Sequence, residues 1–212
     1  DALIIEFKNK NKLQEIYKRE IGRINVEAIQ VFNIFPKNLP RLFVNFLKLF
    51  RPIGFFFEMI KSTKKELQNL KNSDSNILPT KIQAERLLNE KSTKKAYMIN
   101  LLELKEMAQY KDKSISITGR EAYVEKYGKQ AFKSVILLGG DFAFNGRIIG
   151  DSLIEHNAPL DTQGKWQAIG IAEYTKPSKM LELEKIPGYS KGLIHRDAGL
   201  KRNYNLYATK NT

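Results

Sequence analysis

From Ala96 onward the hydrophobic positions change period repeatedly, and each change marks an element. Ala96–Leu104 is apolar on both alternations, with Met98, Leu102 and Leu104 on one side and Tyr97, Ile99 and Leu101 on the other. That predicts a strand covered on both faces. Gly119–Leu137 sets Tyr123, Tyr127, Ala131 and Val135 at four-residue steps and predicts a helix, with Glu125 and Lys129 spaced to pair across one exposed turn. Gly139-Gly140 ends it. Asp141–Phe144 and Ile148–Ile154 predict a strand bent or interrupted around Asn145-Gly146, followed by a polar loop over 155–165. Trp166–Tyr174 predicts a third strand, Pro177–Lys185 a second helix and Asn203–Thr209 a last strand.

The order β-α-β-β-α-β is the ferredoxin-like split arrangement, an α+β fold with a four-stranded antiparallel sheet and helices on one face. Its open apolar face calls for a second sheet, from a homodimer or from a tandem copy in the same chain. Ala2–Leu13 reads like Ile169–Met180: an apolar run ending in Glu plus an aromatic, then a polar turn and a helical segment. Glu27–Phe35 then matches Asn203–Thr209 as the closing strand. Weak self-similarity of this kind points to duplication, the alternative being two unrelated strand-helix-strand segments. The expected organisation is a partial repeat over residues 1–37, a helical apolar and basic connector over 38–90, and a complete ferredoxin-like α/β-barrel domain over 91–212. The chain begins at Asp1 inside a strand pattern, so an upstream segment is expected.

The connector is the unusual part. Pro40 can open a helix, with Arg41, Asn45 and Lys48 on one side and Leu42, Phe43, Phe46, Leu47, Leu49 and Phe50 over the rest. Ile53–Ile60, with Phe55, Phe56 and Phe57, follows, and then Lys61, Lys64 and Lys65. Charges at Arg41, Lys48, Arg51 and Glu58 exclude a comfortable membrane span. Phe43, Phe46, Phe50 and Phe56 are therefore contacts either to an anionic membrane interface or to a partner surface. Lys71–Pro79 is a polar linker and Lys81–Glu90 a short helix.

The 212 residues include no cysteine, which excludes disulfides, thiolate catalysis and cysteine-ligated metals. Two histidines, His156 and His195, argue against a multi-histidine metal site. No metal and no cofactor is expected, a single-histidine haem ligand at His195 being the weak alternative. A cytoplasmic setting is expected, with peripheral membrane association as the other reading. The net charge of +13 lies mostly in residues 1–95 (+9) and less in 96–212 (+4). No reading helix or aromatic stacking platform accompanies it, so nucleic acid is disfavoured. Dinucleotide, phosphate-loop, zinc-protease and nucleophile-elbow motifs are absent.

Six short motifs occur in order: Met98–Leu102, Gly119–Tyr123 with Tyr127-Gly128, Gly139-Gly140, Tyr174–Ser178, Pro187–Tyr189 and His195–Leu200. Together they resemble the dimeric α/β-barrel proteins of domain of unknown function 1330, over about residues 78–209. Thr175-Lys176-Pro177-Ser178 departs from that family's more usual Tyr-Pro-Ser-Arg, and the N-terminal copy lacks the His-Arg-x-Ala-Gly-Leu stretch. The resemblance implies sheet-to-sheet pairing around a central cavity and no particular reaction. For that cavity His195 is the candidate general acid/base, since imidazole titrates near neutrality. Its bland alternative is a hydrogen-bonded anchor for the Ala198-Gly199 turn. Asn100, a lone amide on an apolar face, Arg120, Tyr123 and Arg196 are the candidate substrate contacts. Against these stand a backbone-bonded Asn100, a salt-bridged Arg120 and a core Tyr123. Two functions remain open: binding or transforming a small organic molecule, or a non-catalytic assembly subunit docking through its Phe-rich connector.

Overall fold

The computed structural model describes residues 15, 27–37, 39–52, 81–90, 94–160, 162–186 and 188–209. The strand and helix expected before residue 27, Phe56 and the 71–79 linker lie outside them. Within the described residues the strands are β1 (Ile29–Val31), β2 (Ile34–Pro36), β3 (Ala96–Leu104), β4 (Asp141–Ile148), β5 (Ile154–His156), β6 (Ala168–Tyr174) and β7 (Leu200–Thr209). The helices are α1 (Arg41–Leu49), α2 (Lys81–Asn89), α3 (Gly128–Leu137) and α4 (Tyr189–Gly199). A π-helical stretch, Glu121–Tyr127, leads into α3, and a 3₁₀ stretch spans Pro177–Lys185. The class is α+β with antiparallel sheets.

Two units form. One comprises Asp1–Asn33 with Gly150–Lys165; in it β1 pairs antiparallel with β5, and Gln30 Nε2 donates to Glu155 and to the Thr162 carbonyl. The other comprises Ile34–Ile149 with Trp166–Thr212 and holds a five-stranded antiparallel sheet in the order β2-β4-β6-β3-β7. Helices cover the face carrying Ala96, Met98, Leu102 and Leu104: Ala96, Ala172 and Tyr174 pack with Val135 and Met180, while Leu102 and Leu104 pack with Leu200 and Tyr123. On the other alternation Ile99, Leu101, Ile169 and Ile171 are buried too, as the doubly apolar pattern of β3 predicts.

Local chemistry explains the boundaries. Thr118 and Glu121 form a capping box: Glu121 Oε2 accepts the Thr118 N–H at 2.8 Å, and Thr118 Oγ1 accepts the Glu121 N–H at 3.1 Å. The wider π turn closes through the Gly128 N–H onto the Tyr123 carbonyl. At the other end Gly139 takes φ 92°, a left-handed conformation that favours glycine, and Gly140 N–H returns to the Val135 carbonyl.

Four expectations are corrected. The strand predicted over Glu27–Phe35 is two short strands that join different sheets. The strand expected to be bent or interrupted around Asn145-Gly146 is not interrupted there: it runs over Asp141–Ile148, with its irregularity in register between Phe142 and Phe144. Gly146 serves close approach rather than a turn, since a Cβ on it would collide with Ile34 and crowd the Phe35 carbonyl. The second helix is a 3₁₀ stretch opened by Pro177. Finally, residues 189–199 form α4, so Ala198-Gly199 is a helix end rather than a free turn, and β7 starts at Leu200.

The end of α4 is pressed against two other segments. Gly199 O accepts the Lys105 N–H at 2.9 Å and Ala198 O the Gln109 N–H at 2.9 Å, while Gly119 N–H reaches Glu106 O at 3.1 Å. A Cβ on Gly199 would meet Gly119 O, and would lie 2.9 Å from the Tyr123 nitrogen. Gly199→Ala is therefore expected to destabilise the fold by about 1–3 kcal/mol, the usual cost of overpacking. Chemical denaturation checks it; an unchanged midpoint would refute the close packing.

Candidate functional site

Arg196 projects from α4 over the π-helical stretch. Its side chain is 9% exposed, and Nε and Nη2 are buried with no hydrogen-bond partner among the described residues. The guanidinium carbon lies 5.9 Å from the centre of the Tyr127 ring. Around it stand three phenols from two elements. Tyr123 and Tyr127 come from the π-helical stretch with ring centres 5.1 Å apart. Tyr189 opens α4 and its hydroxyl lies 3.2 Å from that of Tyr127. Tyr174, at the end of β6, neighbours Tyr123 and Tyr189 and packs with Ala96, Val135 and Met180.

The electrostatics of this cluster are one-sided. Burial pushes the Tyr123, Tyr174 and Tyr189 hydroxyls well above the ordinary tyrosine value, so all three are neutral at physiological pH. Phenols in that state supply dipoles and no negative charge. Among the described residues the one carboxylate paired with Arg196 is Asp197, at 3.6 Å from Nε, beyond hydrogen-bond range. Asp197 Oδ1 is itself buried without a hydrogen-bond partner among the described residues. A buried guanidinium with two unmet donors is a costly arrangement, and an anionic group able to accept from it is the natural remedy. The Tyr127–Tyr189 bond uses one hydroxyl hydrogen and leaves the other to donate.

The remaining predicted residues lie apart from this cluster. Asn100 is on the helix-facing side of β3, and its amide donates to the carbonyls of Met98 at 3.1 Å and Gly170 at 3.2 Å. It thus makes the backbone bonds of the bland reading. Arg120 is exposed beside the capping box, with no ion pair to any described residue, so the acidic partner expected for it is not found there. His195 occupies a different side of α4 from Arg196. Its Nδ1 lies 2.7 Å from the Tyr110 hydroxyl, and Tyr110 is buried with Ala122 and Ala198. Burial first, and the Lys126 charge second, lower the His195 pKa from its ordinary 6.5. His156 is exposed beside Asn157. Phe43, Phe46 and Phe50 lie on or at the end of α1 with their rings exposed. Among the described residues no hydrogen bond, ion pair or ring contact joins any two of Asn100, Arg120 and His195, whereas Tyr123 and Arg196 share one cluster.

Tyr127 and Tyr189 are, with Tyr123, candidates from sequence either to line a cavity or to join the core; what the sequence does not show is that they meet Arg196. The signal for Tyr123 and Tyr127 was their four-residue spacing, which places both on one side of a helical segment. Tyr110, the partner of His195, carried no local signal: it is 85 residues away in the chain.

The described residues hold no group of three or more His, Cys, Asp and Glu side chains able to take a metal ion. No protein-family model matches the chain, and no curated protein matches it. Among solved structures it is similar to the RPA0582 protein of Rhodopseudomonas palustris, a structural genomics target of unknown function. That match has 27% identity and a TM-score of 0.54, over 64% of this chain and 97% of that one. The methylated RPA0582 protein matches with 26% identity and a TM-score of 0.56, over 66% of this chain and 98% of that one.

Proposed function

We propose that this chain is a tandem relative of the dimeric α/β-barrel proteins, a ferredoxin-like domain completed by a partial second copy, and that it binds a small organic acid at Arg196. The fold half of this reading is supported by strand order. Counted from β3, the four strands of the complete unit lie in the order second, third, first, fourth, with both helical crossovers on one face. Two further observations favour a second layer and a duplicated origin. Apolar residues on the far face of β3 and β6 are buried, and β2, from the segment read as a partial copy, extends the sheet beside β4.

The binding half rests on the buried Arg196 guanidinium, whose Nε and Nη2 donors are unmet among neutral phenols. A carboxylate accepts from the planar fork of a guanidinium at two points, and a free tyrosine hydroxyl can add a third donor. The cavity between sheets was the expected site; the residues named here lie instead where α4 meets the π-helical stretch. The test is differential scanning fluorimetry with sodium benzoate against benzamide, its uncharged isostere. Benzoate is expected to raise Tm saturably and benzamide to leave it unchanged. Arg196→Met should abolish the benzoate response measured against the variant's own unliganded Tm, which is itself expected to fall because Asp197 Oδ1 loses its ion-pair partner. Equal responses to the two probes, or a benzoate shift that survives in Arg196→Met, would remove the proposal's basis.

A second reading, turnover, is favoured by one observation, the Tyr110–His195 bond. With Nδ1–H donating to the Tyr110 hydroxyl oxygen, the neutral ring is held as the Nδ1–H tautomer and keeps the Nε2 lone pair free to take a proton. The lowered His195 pKa sets the sign of its pH effect. The stability it contributes is fully present above the unfolded value near 6.5 and is lost as pH falls through the folded value. In an NMR titration His195 should titrate below 6.5, and Lys126→Gln should move it upward by removing a neighbouring cation. A titration at or above 6.5 in the wild-type chain contradicts this account.

A further inference from the structure

Helix α1 is mounted with its polar side inward. Arg41 Nη1 and Lys48 Nζ both reach Asp141 Oδ2, at 3.1 and 2.6 Å, and Asp141 Oδ1 accepts the Phe142 N–H at 2.7 Å. Val44 is the helix's buried residue. On the other side Leu42 and Leu49 are 84% and 75% exposed, and Phe43 and Phe46 are 49% and 58% exposed. The Phe46 and Phe50 rings touch, with centres 4.8 Å apart. Surface helices ordinarily turn such a stripe toward the core. A contiguous apolar patch left outward marks a contact surface.

The charge around the patch selects the kind of contact. From Ala28 to Phe57 the chain has Lys37, Arg41, Lys48 and Arg51 and no Asp or Glu. Arg41, although paired with Asp141, keeps 65% of its side chain exposed. An exposed apolar helix face whose own segment carries cations and no anions suits an anionic bilayer interface, which needs no matching groove. No helix among the described residues is long and apolar enough to cross a membrane, so such a contact lies along the surface. We propose that α1 docks the protein on an anionic lipid surface. Leu42, Phe43, Phe46 and Leu49 enter the boundary between headgroups and acyl chains, and Lys37 and Arg41 lie over the lipid phosphates.

The inference is independent of ligand binding at Arg196. It is tested by co-sedimentation of the whole chain with vesicles of equimolar phosphatidylglycerol and phosphatidylcholine, against phosphatidylcholine alone. The protein is expected to pellet with the anionic vesicles only. The double variant Phe43→Ser with Phe46→Ser, shown by circular dichroism to keep its fold, should lose roughly tenfold or more in partitioning. Absence of binding to anionic vesicles, equal binding to both kinds, or undiminished binding by the double variant overturns the proposal. If the wild-type chain instead self-associates in sedimentation without binding vesicles, and the double variant does not, the face belongs to a second copy and the lipid assignment is wrong.

Discussion

Gly119 and Gly199 face each other with no side chain between them, and the helical layer is arranged around that contact. Because neither carries a Cβ, the end of α4 can lie against the start of the π-helical stretch and the segment leaving β3. Side chains on either element would hold the backbones apart. The contact sets how far along α4 the neighbouring residues fall: Arg196 is brought over Tyr127, and His195 is brought to Tyr110. Both polar features of the domain thus depend on one place where backbone meets backbone.

The sheet and the helical layer are held by different physics. β3 pairs along its length with β6 and β7, and its two alternations are apolar, so pairing register and burial reinforce each other. The helical side is mixed. Tyr127, Leu138, Ile186, Tyr189 and Leu193 form a cluster of their own, and into its neighbourhood comes a cation that hydrocarbon alone cannot satisfy. Natural proteins tolerate such a local conflict where it serves a site. That is the reason to look for function beside Arg196 rather than at the well-satisfied Asn100.

The parts of the fold that were readable were those where period and burial agree. β3 is found over the predicted residues, and the helix following Gly119 ends at Leu137 as its apolar spacing required. Misreadings came where glycine had a packing role. Asn145-Gly146 has the composition of a hairpin turn, yet Gly146 is present so that β2 can approach β4. Gly192 and Gly199 lower helix propensity, and Arg196 interrupts any apolar stripe, so α4 was invisible to periodicity. Of the site, Tyr123 and Arg196 could be picked out locally. Their meeting depends on a helix crossing that no short window encodes. The Thr118-x-x-Glu121 box was readable and marks the start of the helical segment.

The attachment of α1 has a consequence for how the molecule responds to its medium. Two of the helix's cations converge on the single carboxylate of Asp141, and one helix residue is buried. Mobile ions screen exposed charges far more than partly buried pairs. The two cations therefore differ: Arg41, with most of its side chain in solvent, is the salt-sensitive half of the attachment, and Lys48, half-sheltered against Asp141, is the half that resists it.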